Sequence, residues 1–166
     1  MTVPPASDPP VKMTVRALVM DPVSNMPVVI LEQAEHNAYL PIWIGVCEAN
    51  SIALQLEGVT TPRPMTHDLI RSLITAMGYT VDHILIHSLT DSVFLASIRL
   101  TGANGEVRNV DSRPSDALAI ALRTQADVLV AQEVLEQALV AESSQEEAIK
   151  MILERLRPED LGDYEM

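Results

Sequence analysis

Residues 13–45 form three short apolar runs separated by turn signals, and this pattern most narrows the possible folds. In "MTVRALVM", Val15, Ala17 and Val19 fall on one face of an extended chain. "DPVSNM" is turn chemistry, "PVVILEQ" returns, "EHNA" turns again, and "YLPIWIG" is the third run. Runs joined this tightly predict an antiparallel meander. The period then changes. In "VCEANSIALQLEG", Ile52, Ala53 and Leu56 share a helical face and Gly58 suits a C-terminal cap. A second helix starts at Thr66, turns Leu69, Ile70, Leu73, Ile74 and Met77 inward, and stops at Gly78. "YTVDHILIHSL", "SVFLASIRL" and "EVRNV" are strands, the last two joined through "TGANG". Ser115 opens the most apolar helix, which runs through Arg123. "DVLVA" is a short buried strand, and "EVLEQAL" a short helix.

These elements predict an α+β domain over 13–140, an antiparallel or mixed sheet covered by helices. The pattern does not give the strand order. Residues 1–12 hold two Pro-Pro pairs and read as a disordered or extended lead. Residues 141–166 read as an acidic amphipathic helix and a disordered tail. Ser143 and Ser144 each precede a glutamate by three residues, as in a capping box, and Ala148, Ile149, Ile152, Leu153 and Leu156 form a stripe before Pro158.

Composition narrows the function. Aromatics are 3% of a chain that is 48% hydrophobic, so the core must be aliphatic. An apolar surplus in so acidic a chain predicts a homo-oligomer. The net charge is −12, which excludes a broad basic surface for nucleic acid. Lys12 and Lys150 are the only lysines, so the cations are nearly all arginines. A few placed arginines suit bidentate contacts to particular anions. The single cysteine, Cys47, excludes an internal disulfide. It has no flanking base or cation and reads as buried. Trp43 reads as core or interface, and His36, His83 and His87 receive no role. The first residues lack a basic segment followed by an apolar run. No apolar stretch reaches the ~20 residues a membrane helix needs. The expectation is cytoplasmic, with no membrane partner.

Chemistry concentrates at two helix starts. In "VDSRPSDALAIALR", Arg113-Pro114 leads to Ser115 and Asp116; in "TPRPMTHDLIRSLI", Arg63-Pro64 leads to Thr66, His67 and Asp68. Proline restricts the residue before it and fixes its own φ. Ser115 and Thr66 are expected as N-caps. The remaining first-turn amides and the helix dipole then face outward beside an arginine, which suits a phosphate. Arg63, Thr66, Arg113 and Ser115 are therefore expected to bind substrate. Asp68, Asp111 and Asp116, with Glu48 at another helix start, offer oxygens to Mg²⁺ or Mn²⁺. His67, Asp68 and Asp116 are the expected catalytic group, His67 as base or proton shuttle. The plainer reading is that these residues only cap helices and pair with one another.

"LPIWIGVCEANSIALQLEG", "RPMTHDLIRSLI" and "VDSRPSDALAIALR", in this order, resemble the bifunctional nuclease domain family of bacteria and plants. The resemblance covers about residues 13–140. It implies an oligomeric α+β domain that hydrolyses DNA and RNA with little sequence preference. It also implies that Glu48, Arg63, Thr66, His67, Asp68, Asp111, Arg113, Ser115 and Asp116 line the site, without assigning individual roles. The alternative function is a non-enzymatic oligomeric regulator that binds a nucleotide or another anionic metabolite at the same junctions.

Overall fold

The computed structural model describes residues 8–36 and 38–142. Most of the expected lead (1–7), the expected amphipathic helix and the tail lie outside the described residues. The elements follow the order expected: β1 (Val11–Met20), β2 (Pro27–Gln33), a 3₁₀ turn (Ala34–His36), β3 (Ala38–Trp43), α1 (Val46–Leu56), α2 (Thr66–Ala76), β4 (Tyr79–Thr90), β5 (Val93–Gly102), β6 (Val107–Ser112), α3 (Pro114–Thr124), β7 (Asp127–Val130) and α4 (Gln132–Glu142). β1 starts two residues into the expected lead, because Val11 and Lys12 pair with Val130 and Leu129.

The fold is α+β, with one mixed seven-stranded sheet in the order β3-β2-β1-β7-β4-β5-β6. The predicted meander holds: β1 pairs antiparallel with β2, and β2 with β3. A register shift between Val15 and Ala17 marks a bulge in β1, which bends a strand locally. β4, β5 and β6 form the second antiparallel run. α3 then carries the chain back across the sheet, so β7 inserts between the two halves. It is antiparallel to β1 and parallel to β4. This return joins both meanders into one sheet.

Ile84 and Ile86 of β4, with Ala96, Ile98 and Leu100 of β5, share a core with Ala117, Leu118, Ile120 and Ala121 of α3. The alanines let α3 lie close to the strands. Leu118 and Ile120 are essentially fully buried, and burial of each contributes roughly 1.5–3 kcal/mol. The core is aliphatic, as composition required.

α2 departs from expectation. Ile74 is buried, but Leu69, Leu73 and Met77 are 51%, 51% and 65% exposed, and Ile70 is also exposed. The cause is polar. His67 faces inward, and Asp68 bonds a buried arginine of α3. These contacts fix the rotation of α2, so His67 and Ile74, two turns apart, face in. An apolar stripe is left on the surface. Cys47 is also exposed rather than buried. It sits in the first turn of α1, while Ala49 and Ile52 take the inward face. Trp43 is partly exposed at the end of β3, and its Nε1 donates to Asp21 Oδ2 at 3.1 Å. Bonds from the Ser24 hydroxyl, the Val23 amide and the Trp43 indole hold the Asp21 carboxyl down at about 2. No helix among the described residues is long and apolar enough to cross a membrane.

Candidate active site

Three helices begin in the same way. α1 has Gly45 as N-cap and Glu48 three residues on; α2 has Met65 and Asp68; α3 has Arg113 and Asp116. A carboxylate in the third helical position stabilises the positive end of the dipole and can reach back to the cap amide. Asp68 does so: Met65 N–H donates to its Oδ2 at 3.0 Å. The common register lies in the acids, not in the Arg-Pro pairs. Pro114 is the first residue of α3, whereas Pro64 precedes the N-cap of α2. Thr66 and Ser115 are therefore not the N-caps. They are the first residue of α2 and the second of α3. Neither N-cap makes a side-chain capping bond.

The three starts meet. Arg113 donates through Nη2 to Glu48 Oε1 at 2.6 Å and through Nε to Asp116 Oδ2 at 2.7 Å. His67 Nε2 lies 3.0 Å from Asp116 Oδ1, and its Nδ1 is 2.8 Å from Ser51 Oγ. These contacts link the starts of α1 and α3, and those of α2 and α3. Two positive dipole ends therefore meet at the Arg113 guanidinium, and the third is joined to them through Asp116. The Ser115 and Asp116 amides, in the first turn of α3, have no intrahelical acceptor.

The electrostatics favour ionised carboxylates. Burial raises the Asp116 carboxyl, but bonds from Arg113 and His67 outweigh it and hold the group below its ordinary value. The bond from Arg123 is the main force holding Asp68 below its ordinary value. The Arg113 guanidinium is raised by Asp116 first and Glu48 second, so it is always charged. An ionised Asp116 can only accept, so His67 carries its proton on Nε2. In the neutral ring Nδ1 then accepts from the Ser51 hydroxyl. His67 and Ser51 are both buried.

Two participants were missed in the sequence. Arg123 donates to Asp68 Oδ1 at 2.6 Å, to Ala119 O at 3.0 Å and to Ser51 O at 3.1 Å. Its side chain is 2% exposed, against 65% for Arg113. One arginine is thus a buried strut and the other faces solvent. The available signal was spacing: Arg123 lies two turns after Asp116 on a helix with few other polar positions. Ser51 carried no signal, because a serine inside "ANSIALQ" reads as neutral helix filling.

Other expected residues do not join. Asp111 pairs with Ser97, while its neighbour Val110 pairs with core residue Ile98. Alternation puts Asp111 on the sheet face turned away from the helices. Arg63 and Thr66 are exposed near the start of α2, and their side chains make no ion pair or hydrogen bond among the described residues. The expected metal ligands do not form one cage. Asp68 is committed to Arg123 and Met65, and Asp111 lies across the sheet. Glu48 and Asp116 share Arg113. Among the described residues, no three His, Cys, Asp or Glu side chains converge as a metal would need.

Relatives place the chain. It is 44% identical over 134 residues to an uncharacterised protein of two strains of Mycobacterium tuberculosis, covering 78% of each chain. It is 29% identical over 105 residues to Bifunctional nuclease 1 of Oryza sativa subsp. indica, across 61% of this chain and 32% of the rice protein. The bifunctional nuclease domain model matches residues 29–143, a span that contains every helix start described above. The chain belongs to the bifunctional nuclease domain family.

Proposed function

We propose that this protein is a cytoplasmic homo-oligomeric nuclease that hydrolyses phosphodiester bonds of DNA and RNA. The observation that carries the reading is the meeting of three helix N-termini through the exposed Arg113 guanidinium and the Asp116 carboxylate it holds. It gathers the positive ends of helix dipoles and one solvent-facing guanidinium in one place on a chain of net charge −12. Arg113 and the first-turn amides of α3 hold the phosphate and stabilise charge that develops on its oxygens. Glu48 and Asp116 flank the clamp and are the nearby groups able to accept a proton from water. His67 is buried with both nitrogens engaged, so we give it a positioning role through Asp116. Asp68, tied to Arg123, positions the start of α2. Arg63, with no side-chain partner among the described residues, extends the anion contact.

A divalent ion belongs to the proposal only as one held by one or two carboxylates together with substrate phosphate, a common mode for Mg²⁺. Glu48 and Asp116 are the donors beside the clamp, and no step is routed through the ion. One observation favours the second reading, an anion-binding regulator. Each of the three helix-start carboxylates is already paired with an arginine. The deciding assay uses fluorescent single-stranded RNA and DNA with and without EDTA, comparing wild type with Asp116→Ala. Cleavage lost in the variant supports the nuclease. Phosphate binding without cleavage supports the regulator.

A further inference from the structure

Arg113 presents a paradox. Its side chain is 65% exposed, yet Nε and Nη2 are both taken by carboxylates of the same chain. The two carboxylates are not equivalent. Asp116 is a neighbour on α3 and is braced by His67. Glu48 comes from α1, sixty-five residues away in sequence, and has no second side-chain partner among the described residues. Its carboxylate folds back over the start of its own helix, so that a Cβ on Gly45 would collide with Glu48 Oε2. Gly45 has φ −72° and ψ 156°, a conformation open to any residue, so its backbone does not demand glycine. The glycine serves space, and that space holds the Glu48 carboxylate.

We propose that Glu48 is the internal anion of this site. It sits on Arg113 where a substrate phosphate would sit, and an incoming phosphate must displace it. This rests on the anion clamp proposed above and adds a selectivity. The exchange replaces one carboxylate charge with the charge of the ligand. An internal phosphodiester brings one negative charge, whereas a terminal phosphomonoester carries about −1.5 to −2 at neutral pH and three acceptor oxygens. The site therefore favours strand ends that bear a phosphate. Removing Glu48 removes the competitor, and tighter binding follows.

Fluorescence anisotropy in EDTA tests this, with one short single-stranded oligonucleotide carrying either a 5′-phosphate or a 5′-hydroxyl. The wild type binds the phosphorylated probe more tightly. Glu48→Gln tightens that probe about fivefold, the scale of one ion pair that opens to solvent on its arginine side. Gly45→Ala tightens it too, by pushing the intact Glu48 carboxylate off Arg113. Glu57→Gln, which removes a charge at the far end of α1, changes nothing. Thermal melting of each variant verifies the fold. Unchanged or weaker binding in Glu48→Gln overturns the inference, and so does equal binding of the two probes by the wild type. Tightening by Glu48→Gln without Gly45→Ala, or by Glu57→Gln as well, reduces the effect to general charge and overturns it too. Arg113→Ala separates the two levels. If it binds like the wild type, the clamp itself is wrong. If it loses binding while Glu48→Gln stays unchanged, the clamp stands and only the displacement falls.

Discussion

His67 Nε2 lies 3.0 Å from Asp116 Oδ1, across forty-nine residues of sequence. This bond brings the two Arg-Pro junctions to one place. It also settles which part of each junction matters for assembly. The acids and the histidine meet, while Arg63 remains in solvent.

Replacing His67 leaves two polar groups behind. In His67→Ala, the Ser51 hydroxyl and one Asp116 oxygen lose their partner inside the fold. A buried group left unsatisfied costs about 1–3 kcal/mol. The expected loss is therefore about 2 kcal/mol, measured by urea unfolding. Nuclease activity should fall through kcat more than KM, because the phosphate clamp is intact and only Asp116 is loosened.

The Asp68–Arg123 strut makes stability depend on pH. The folded Asp68 carboxyl lies below its ordinary value of 3.8, chiefly through Arg123. Asp116 is shifted in the same direction. The unfolded chain therefore binds more protons in this range, and stability falls as the pH drops through and below about 3.8. Arg123→Met should cost about 3 kcal/mol at neutral pH, because it strands a partly buried carboxylate. The penalty should shrink as the pH falls below the ordinary carboxyl value of 3.8, where the variant's Asp68, no longer held down by Arg123, takes up a proton. Chemical denaturation at both pH values checks this, and an equal penalty at both would count against the strut.

Much of the fold was legible, and the reasons are local. "PVVILEQ" between two turn signals has few ways to be anything but a strand, and Pro114 before an apolar run has few ways to be anything but a helix start. Strand order was not legible, because β7 is placed by the return of α3 rather than by any pattern in "DVLV". The rotation of α2 was misread because five apolar positions outweighed two polar ones. In the fold, His67 and Asp68 set the angle, since buried polar groups must find partners. Asp111 was placed with the site by proximity in sequence. Its side of the sheet depends on the register with Ser97, which no local signal reveals. Arg123 was harder to read: its two-turn spacing from Asp116 is a faint signal, and a cation in the last turn of a helix ordinarily faces solvent.

The exposed stripe on α2 predicts self-association. Leu69, Leu73 and Met77 lie along one side of the helix and are each at least half exposed. A second copy is the occupant expected from the apolar surplus of the whole chain. Light scattering at micromolar concentration should return a multiple of the 18.2 kDa chain mass. Leu73→Glu should lower that mass without lowering stability much, because the substituted position faces solvent within one chain. A wild type that runs at the single-chain mass would rule out the homo-oligomer.

The sharpest prediction concerns the shape of the Arg113 side chain rather than its charge. Its Nε and Nη2 reach two carboxylates on two different helices, and a bound phosphate would use the same planar fork. Lysine keeps the charge but offers a point donor that cannot make two parallel bonds. If Arg113 only ties α1 to α3, Arg113→Lys should be mild for stability and activity alike, because a lysine ammonium still supplies the charge on the solvent side of both carboxylates. If it clamps phosphate, kcat/KM should fall about tenfold, or ~1.4 kcal/mol of transition-state stabilisation, with little change in the unfolding midpoint. Raising salt should weaken the wild type only shallowly, since few phosphates are contacted. A steep salt slope would require a broad basic surface, which a chain with two lysines and a net charge of −12 does not have. Full activity in Arg113→Lys would move phosphate binding to the first-turn amides of α3 and remove Arg113 from the clamp.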